Sequence, residues 1–279
     1  SAFSNAGFDL MGGYRSLTEM PTDYLVNGTL LFLFIVGGLG FPVIFDLLYN
    51  RRRLYRLTLH TRLVLVITAI LLIFGTLAVL VLEYNNPETM GSLSFGGKLF
   101  TAFFTAAAPR TAGFSVLDNA ALLLPTRLLI LLLMFIGASP ASTGGGVKTT
   151  TLALVLIAMV ALIRGQREPV LLKRRLDLNQ VLKATTILVA AMGLIFLSTF
   201  ILALTENYDF ISLFNEAVAA FSSSGMSTGI TPELGLLSKA VLIVTMFVGR
   251  IGPLTLFIAL ARPRREEGLH YPEEKLLIG

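Results

Sequence analysis

The chain has 279 residues, 54% of them hydrophobic and 14% charged, with a formal charge of +5 and a mean hydropathy of +0.78. Soluble domains carry about 25% charged residues, so this balance is a membrane protein's. With no Cys, no Trp and two isolated histidines, His60 and His270, the sequence offers no disulfide framework and no thiolate zinc or redox centre.

In chain order, the first feature is "SAFSNAGFDL", a small-residue segment containing Asn5, Ala6 and Gly7. Ser1 is not an initiator methionine, and two later copies of this segment each follow an apolar, helix-like run. The sequence is therefore expected to lack an N-terminal part, and no signal peptide can be read from it. Apolar runs long enough to cross a hydrocarbon core, which takes roughly 20 residues, follow at 24–48, 62–84, 181–204 and 237–260. A longer run, 122–163, is broken by "GASPASTGGGVKTTT" and predicts two half-helices around an irregular insert. Two shorter runs, 96–108 and 209–222, cover about 20 Å as helices and predict re-entrant segments. "NGT" at Asn27 matches a glycosylation sequon but carries no weight at a membrane boundary.

Charge sets the orientation. Arg51, Arg52, Arg53, Arg56 and Arg62 follow the first span, Arg164, Arg167, Lys173, Arg174, Arg175 and Lys183 the broken one, and Arg262, Arg264 and Arg265 the last. The opposite loops are acidic, with Glu19, Asp23, Glu83, Glu206 and Asp209 among them. By the positive-inside rule the basic loops are cytoplasmic. These basics mark topology and form no face of their own, which argues against nucleic acid as a partner.

Aligned on Gly7, Gly113 and Gly225, the segments read "SAFSNAGF", "AAPRTAGF" and "AAFSSSGM", 106 and 112 residues apart. Each interval holds a span, a basic loop, a second span, a half-helix and the motif, and each motif is followed by a span with a related interruption: "FIVGGLGFP", "MFIGASPAS" and "MFVGRIGP". The matching order of five elements is the signature of an internal repeat. Two spans plus a re-entrant loop return the chain to its starting side, so the repeats run parallel, unlike those of inverted-repeat transporters. Equivalent loops then converge on an axis along the membrane normal. Irregular backbone at membrane depth is tolerated only in protein or beside water, and small-residue turns there can aim carbonyls at a dehydrated cation.

These residues resemble the superfamily of Trk, Ktr and HKT potassium transporters. The combination of "NAGF", "TAGF" and "SSGMSTG" loops, the "GASPASTGGGVKTTT" insert, Arg250 in "FVGRIGP" and the tail "YPEEKLLIG" is most similar to the bacterial Ktr membrane subunit. The resemblance implies an all-α membrane protein with parallel repeats of helix, re-entrant pore loop and helix around a central, potassium-channel-like pore. Residues 1–60 would be the pore loop and inner helix of the second repeat, 61–175 the third repeat and 176–279 the fourth with its tail; the first pore loop would be missing. Asn5, Ala6 and Gly7, Thr111, Ala112 and Gly113, and Ser223, Ser224 and Gly225 would form filter segments whose backbone carbonyls bind K⁺.

The insert, with Pro140, Ser142, Thr143, Gly144, Gly145, Gly146 and Lys148, would be an intramembrane gate loop, and Arg250 an electrostatic barrier in the permeation path. A nucleotide P-loop in "GGGVKTT" is excluded, because Val147 stands where glycine must precede the lysine. Glu216 reads equally as a lure for cations at the outer mouth or as a structural acceptor, and Arg110 as the partner of a neighbouring carboxylate. The implied function is potassium uptake across the bacterial plasma membrane without catalysis and without a cofactor in this chain. The subunit would form a homodimer carrying a cytoplasmic nucleotide-binding regulatory ring. A sodium-permeable or sodium-coupled relative and a non-transporting scaffold are the alternatives. An intramembrane enzyme lacks a nucleophile with a buried His or Asp partner, and a proton-coupled carrier is poorly served by the cationic Lys148 and Arg250.

Overall fold

A computed structural model of the chain describes residues 1–7, 16–51, 53–166, 168–172 and 174–252. Nine α-helices are present among the described residues: α1 Tyr24–Leu39, α2 Phe41–Tyr49, α3 Leu59–Glu83, α4 Phe95–Ala107, α5 Leu124–Phe135, α6 Thr149–Ile163, α7 Leu178–Thr205, α8 Phe210–Ser222 and α9 Leu236–Ile251. A two-stranded antiparallel hairpin, β1 Val170–Leu171 and β2 Arg174–Arg175, lies in the basic loop between α6 and α7.

The long helices α3 and α7 are apolar enough to cross a membrane. The short ones are stopped by specific chemistry. Ser94 starts α4 by accepting the Gly97 N–H, and Asp209 starts α8 by accepting the Ser212 N–H, each satisfying one of the orphan donors of a first turn. Each then runs 13 residues and stops just short of a glycine motif. The interruption of the 122–163 run is as expected, with 136–148 irregular between α5 and α6. The 24–48 run is not a single straight span: α1 and α2 meet at 95°. Gly40 causes this bend. Its φ of +91° is open to glycine, and a Cβ there would stand 2.5 Å from the Pro140 carbonyl oxygen.

Packing repeats along the chain. Helix α3 packs on α4 and α5, and α7 packs on α8 and α9. The end of each long helix also caps the helix that follows the glycine motif. Glu83, fully buried, accepts the N–H of Leu123, the N-cap of α5. Glu206 accepts the N–H of Gly235, the N-cap of α9, at 2.8 Å. Helix α1 takes its cap from its own Asp23. Between these units, Phe34 of α1 meets Phe104 of α4 edge-on, and Phe135 of α5 stacks on Phe221 of α8. Residues 253–260 of the last expected span, with the tail, lie outside the described residues.

Candidate functional site

The three glycine motifs meet at the centre of this framework with one backbone signature. Asn5, Thr111 and Ser223 have φ of 49°, 80° and 54°, and two residues later Gly7, Gly113 and Gly225 have φ of 71°, 77° and 74°. Left-handed backbone costs a non-glycine residue about 1 kcal/mol or more, so its recurrence at the same position in three separate turns marks a shape held by its surroundings. Alternating handedness turns successive carbonyls to one side of the strand. The turns face one another: a Cβ on Gly113 would stand 2.4 Å from Gly7 Cα and 2.5 Å from the Ser224 carbonyl oxygen, and one on Gly7 3.4 Å from the carbonyl oxygens of both Ala112 and Ser224. Gly225 faces Gly113 Cα at 3.9 Å by the same measure. A side chain is excluded by backbone at Gly113 and crowded at Gly7, while at Gly225 it is the positive φ that favours glycine.

Helices α4 and α8 deliver two of the turns, so the partial negative charge of each helix C-terminus lies next to the carbonyls. Glycines on the following helices let the turns approach. A Cβ on Gly37 of α1 would collide with the Phe3 carbonyl oxygen at 2.0 Å, and one on Gly249 of α9 with that of Phe221 at 1.9 Å. These glycines occupy the same place in the "FIVGG" and "MFVGR" interruptions. The third equivalent, Gly137, instead meets the Gly145 carbonyl at 2.1 Å, because here the helix has ended and the chain folds back on itself.

That returning segment lies on one side of the constriction. Gly137 donates to Val147 O at 2.9 Å and Val147 to Phe135 O at 3.2 Å, closing the loop at its neck. Thr143 Oγ1 donates to Phe3 O and accepts from Asn5 Nδ2 at 3.0 Å. A Cβ on Gly144 would strike Thr111 Oγ1 at 2.3 Å, and one on Gly145 the Ser222 carbonyl oxygen at 2.7 Å. The loop therefore touches all three turns on the side of the residues that precede the glycines. Pro140, Ala141 and Ser142 form a turn beside α1, with Ser142 Oγ donating to Ser139 O, and Gly146 takes φ +73°. Lys148 is partly buried, stands before α6 as its N-cap residue, and donates to the Gly144 carbonyl.

Arg250 lies in the last turn of α9 and reaches the same side, its guanidinium 3.4 Å from the carbonyl oxygens of Ser4 and Asn5. On the opposite side, residues that follow the glycines line a cavity of about 290 Å³, among them Ser16, Ser115, Asn119 and Thr231. The cavity thus meets the glycines and the residues after them, while the loop and Arg250 meet the residues before them.

Glu216, read either as a lure for cations or as a structural acceptor, lines this cavity and acts as an acceptor. It is buried and takes Ser227 Oγ at 2.6 Å, the Thr228 N–H at 3.0 Å and Thr231 Oγ1 at 2.5 Å. Asn215 and Asn119 hold the same stretch through Met226 O and Ser227 O. Arg110 contacts the Thr68 hydroxyl at 3.4 Å, and among the described residues it forms no ion pair, contrary to the expected carboxylate partner. Its side chain points between α1 and α3, away from the acidic loops. The capping roles of Glu83 and Glu206 escaped the sequence reading, which took them only as acidic-loop charges. Their placement at the last turn of each long helix was the available signal.

A family model, TrkH, described as cation transport protein, matches residues 1–266. The chain belongs to the TrkH family. It is 40% identical over 279 residues to the Ktr system potassium uptake protein B of Bacillus subtilis, covering all of this chain and 62% of that protein. It is 41% identical over 280 residues to the protein of the same name from Vibrio alginolyticus, covering all of this chain and 61% of that one. The chain thus spans less than two thirds of the length of these relatives. The fold of this TrkH-family chain is that of the potassium transporter TrkH from Vibrio parahaemolyticus, with a TM-score of 0.77 at 20% identity over 93% of this chain and 56% of that structure. The chain is an integral membrane protein, and the relatives it matches are named for uptake, not for catalysis.

Proposed function

We propose that this chain forms most of the ion pathway of a potassium-uptake protein. The observation that carries the reading is the convergence of Gly7, Gly113 and Gly225, each at positive φ, each two residues after a left-handed Asn, Thr or Ser, with carbonyls of neighbouring turns within van der Waals reach of the glycines. Carbonyls presented this way replace the water around a monovalent cation, and two half-helix C-termini favour its charge. The buried Asn5 Oδ1 and Thr111 Oγ1, neither with a protein partner among the described residues, add acceptor capacity at the same level. K⁺ is the substrate, taken from the 290 Å³ cavity as an outer vestibule.

In this reading the three units 1–60, 61–175 and 176–279 are parallel repeats, and the loop from Ile136 to Lys148 is the gate. It touches all three turns on the side of the residues that precede the glycines; Thr143 ties it to Phe3 and Asn5, and Lys148 closes it on its own Gly144 carbonyl. Arg250 adds a positive barrier below it. The subunit assembles as a homodimer with a cytoplasmic nucleotide-binding regulatory ring; the word "system" in the names of the Ktr relatives supports a partner subunit, and the basic inner loops offer it a docking surface. The test is Gly113→Asp in the full-length protein. Potassium uptake should be abolished while membrane insertion stays normal; undiminished uptake would remove the filter assignment.

A further inference from the structure

The basic end of the molecule carries a second cavity that ion conduction does not use. It is a groove of about 350 Å³ between the starts of α3, α6 and α7 and the β1–β2 hairpin. Its walls are apolar, with Leu63, Leu154, Ile157 and Ile187 facing inward. Its mouth is polar: His60 stands in the first turn of α3, and Gln180 and Lys183 in the first two turns of α7. Among the described residues, no acidic side chain lines it. Glu168, on the neighbouring hairpin loop, is held by Arg175 at 2.7 Å, and Asp177 is engaged as the cap of α7. Among the described residues, the side chains of His60, Gln180 and Lys183 have no hydrogen-bond or ion-pair partner.

An apolar slot closed at one end by three unpaired donors, one of them a lysine, matches an amphiphile with a negative head. The location selects the amphiphile. The mouth lies at the starts of α3 and α7, the helices that follow the basic loops read as cytoplasmic, and basic residues near an inner-leaflet surface attract anionic lipid. We propose that this groove binds one anionic phospholipid, its phosphate on His60, Gln180 and Lys183 and an acyl chain between α3, α6 and α7. Thr150 and Thr151 line the same groove one turn beyond Lys148. The lipid therefore sits against the first turn of the helix that emerges from the intramembrane loop, and its occupancy biases how freely that loop moves. This last consequence rests on the gate reading above; the binding does not.

The experiment is native mass spectrometry of the full-length protein released from vesicles of phosphatidylglycerol or of phosphatidylcholine. The expected result is one tightly retained phosphatidylglycerol per chain, reduced at least fivefold in the double variant H60Q/K183Q. Leu154→Trp, which fills the slot and leaves the mouth intact, should lose it too. Phosphatidylcholine retention and thermal stability, measured on the same samples, report whether each variant is folded. Equal phosphatidylglycerol retention in folded wild type and both variants would overturn the proposal. So would retention lost only in the mouth variant and competed by inorganic phosphate alone, which would make it a simple anion site, or protection of the mouth by a regulatory protein with no lipid retained. Rubidium flux in the two vesicle types then separates the claims: lipid bound without effect on flux leaves the site standing and removes its link to the loop.

Discussion

At Glu216 a single carboxylate decides the shape of the segment after Gly225. It is buried in the cavity wall and accepts from one backbone N–H and three hydroxyls, so removing it leaves these donors without their partner, at a cost of up to about 1–3 kcal/mol each. Glu216→Ala should therefore let 226–231 relax and lower the discrimination of K⁺ over Na⁺ more than the amount of protein in the membrane. Glu216→Gln, which keeps an acceptor oxygen, should retain most of it. Competition of the two ions for uptake measures this, and equal loss in both variants would mean that charge, and not bracing, is what matters. At the Gly113 motif Phe104 occupies the corresponding place on α4, so that turn has no such carboxylate brace.

Among the elements, the intramembrane loop closes on itself at its neck and is tied to another unit through Thr143, which donates to the Phe3 carbonyl and accepts from Asn5. Deleting 142–146 should raise potassium flux and loosen its regulation, read by flux into vesicles; unchanged transport would count against a gating role. The cap formed by Glu206 has a different vulnerability. Its hydrogen bonds from Ser238 and the Gly235 N–H, in that order, hold its pKa below the usual carboxylate value. The Ser212 hydrogen bond does the same for Asp209 at the start of α8. A lowered folded pKa means that the ionised form stabilises the folded state. That contribution is fully present above the ordinary carboxylate range and is lost as pH falls through the lowered values. Acidifying the outer face should accordingly loosen the starts of α8 and α9, seen as faster amide exchange there, and Glu206→Gln should make the α9 response flatter with pH.

For the whole molecule, what was readable in the sequence follows from how each feature is encoded. Half-helices and the broken span are written in run length and in Gly and Pro: α4 and α8 lie within a residue of where those signals put them, and the interruption ends at 148, three residues before the expected insert does, because Thr149, Thr150 and Thr151 form the first turn of α6. The break at Gly40 was signalled by Gly and Pro in "FIVGGLGFP", but its 95° angle was not, because that depends on contact with Pro140, a hundred residues away. Arg110 was misread for a similar reason: its surroundings are set by α1 and α3, not by its loop neighbours. The alternation of left-handed residues in the three turns was only half visible, since glycine announces positive φ but Asn5, Thr111 and Ser223 do not.

The central claim is that three glycine turns, Gly7, Gly113 and Gly225, surround a potassium ion with their carbonyls. Thallium, which substitutes for potassium and scatters anomalously, tests it most directly in crystals of the full-length protein. The account predicts an anomalous peak between these glycines, bounded on one side by the cavity of Ser115 and Thr231 and on the other by Gly144. A strong peak elsewhere in the membrane, with none at the glycines, would contradict it.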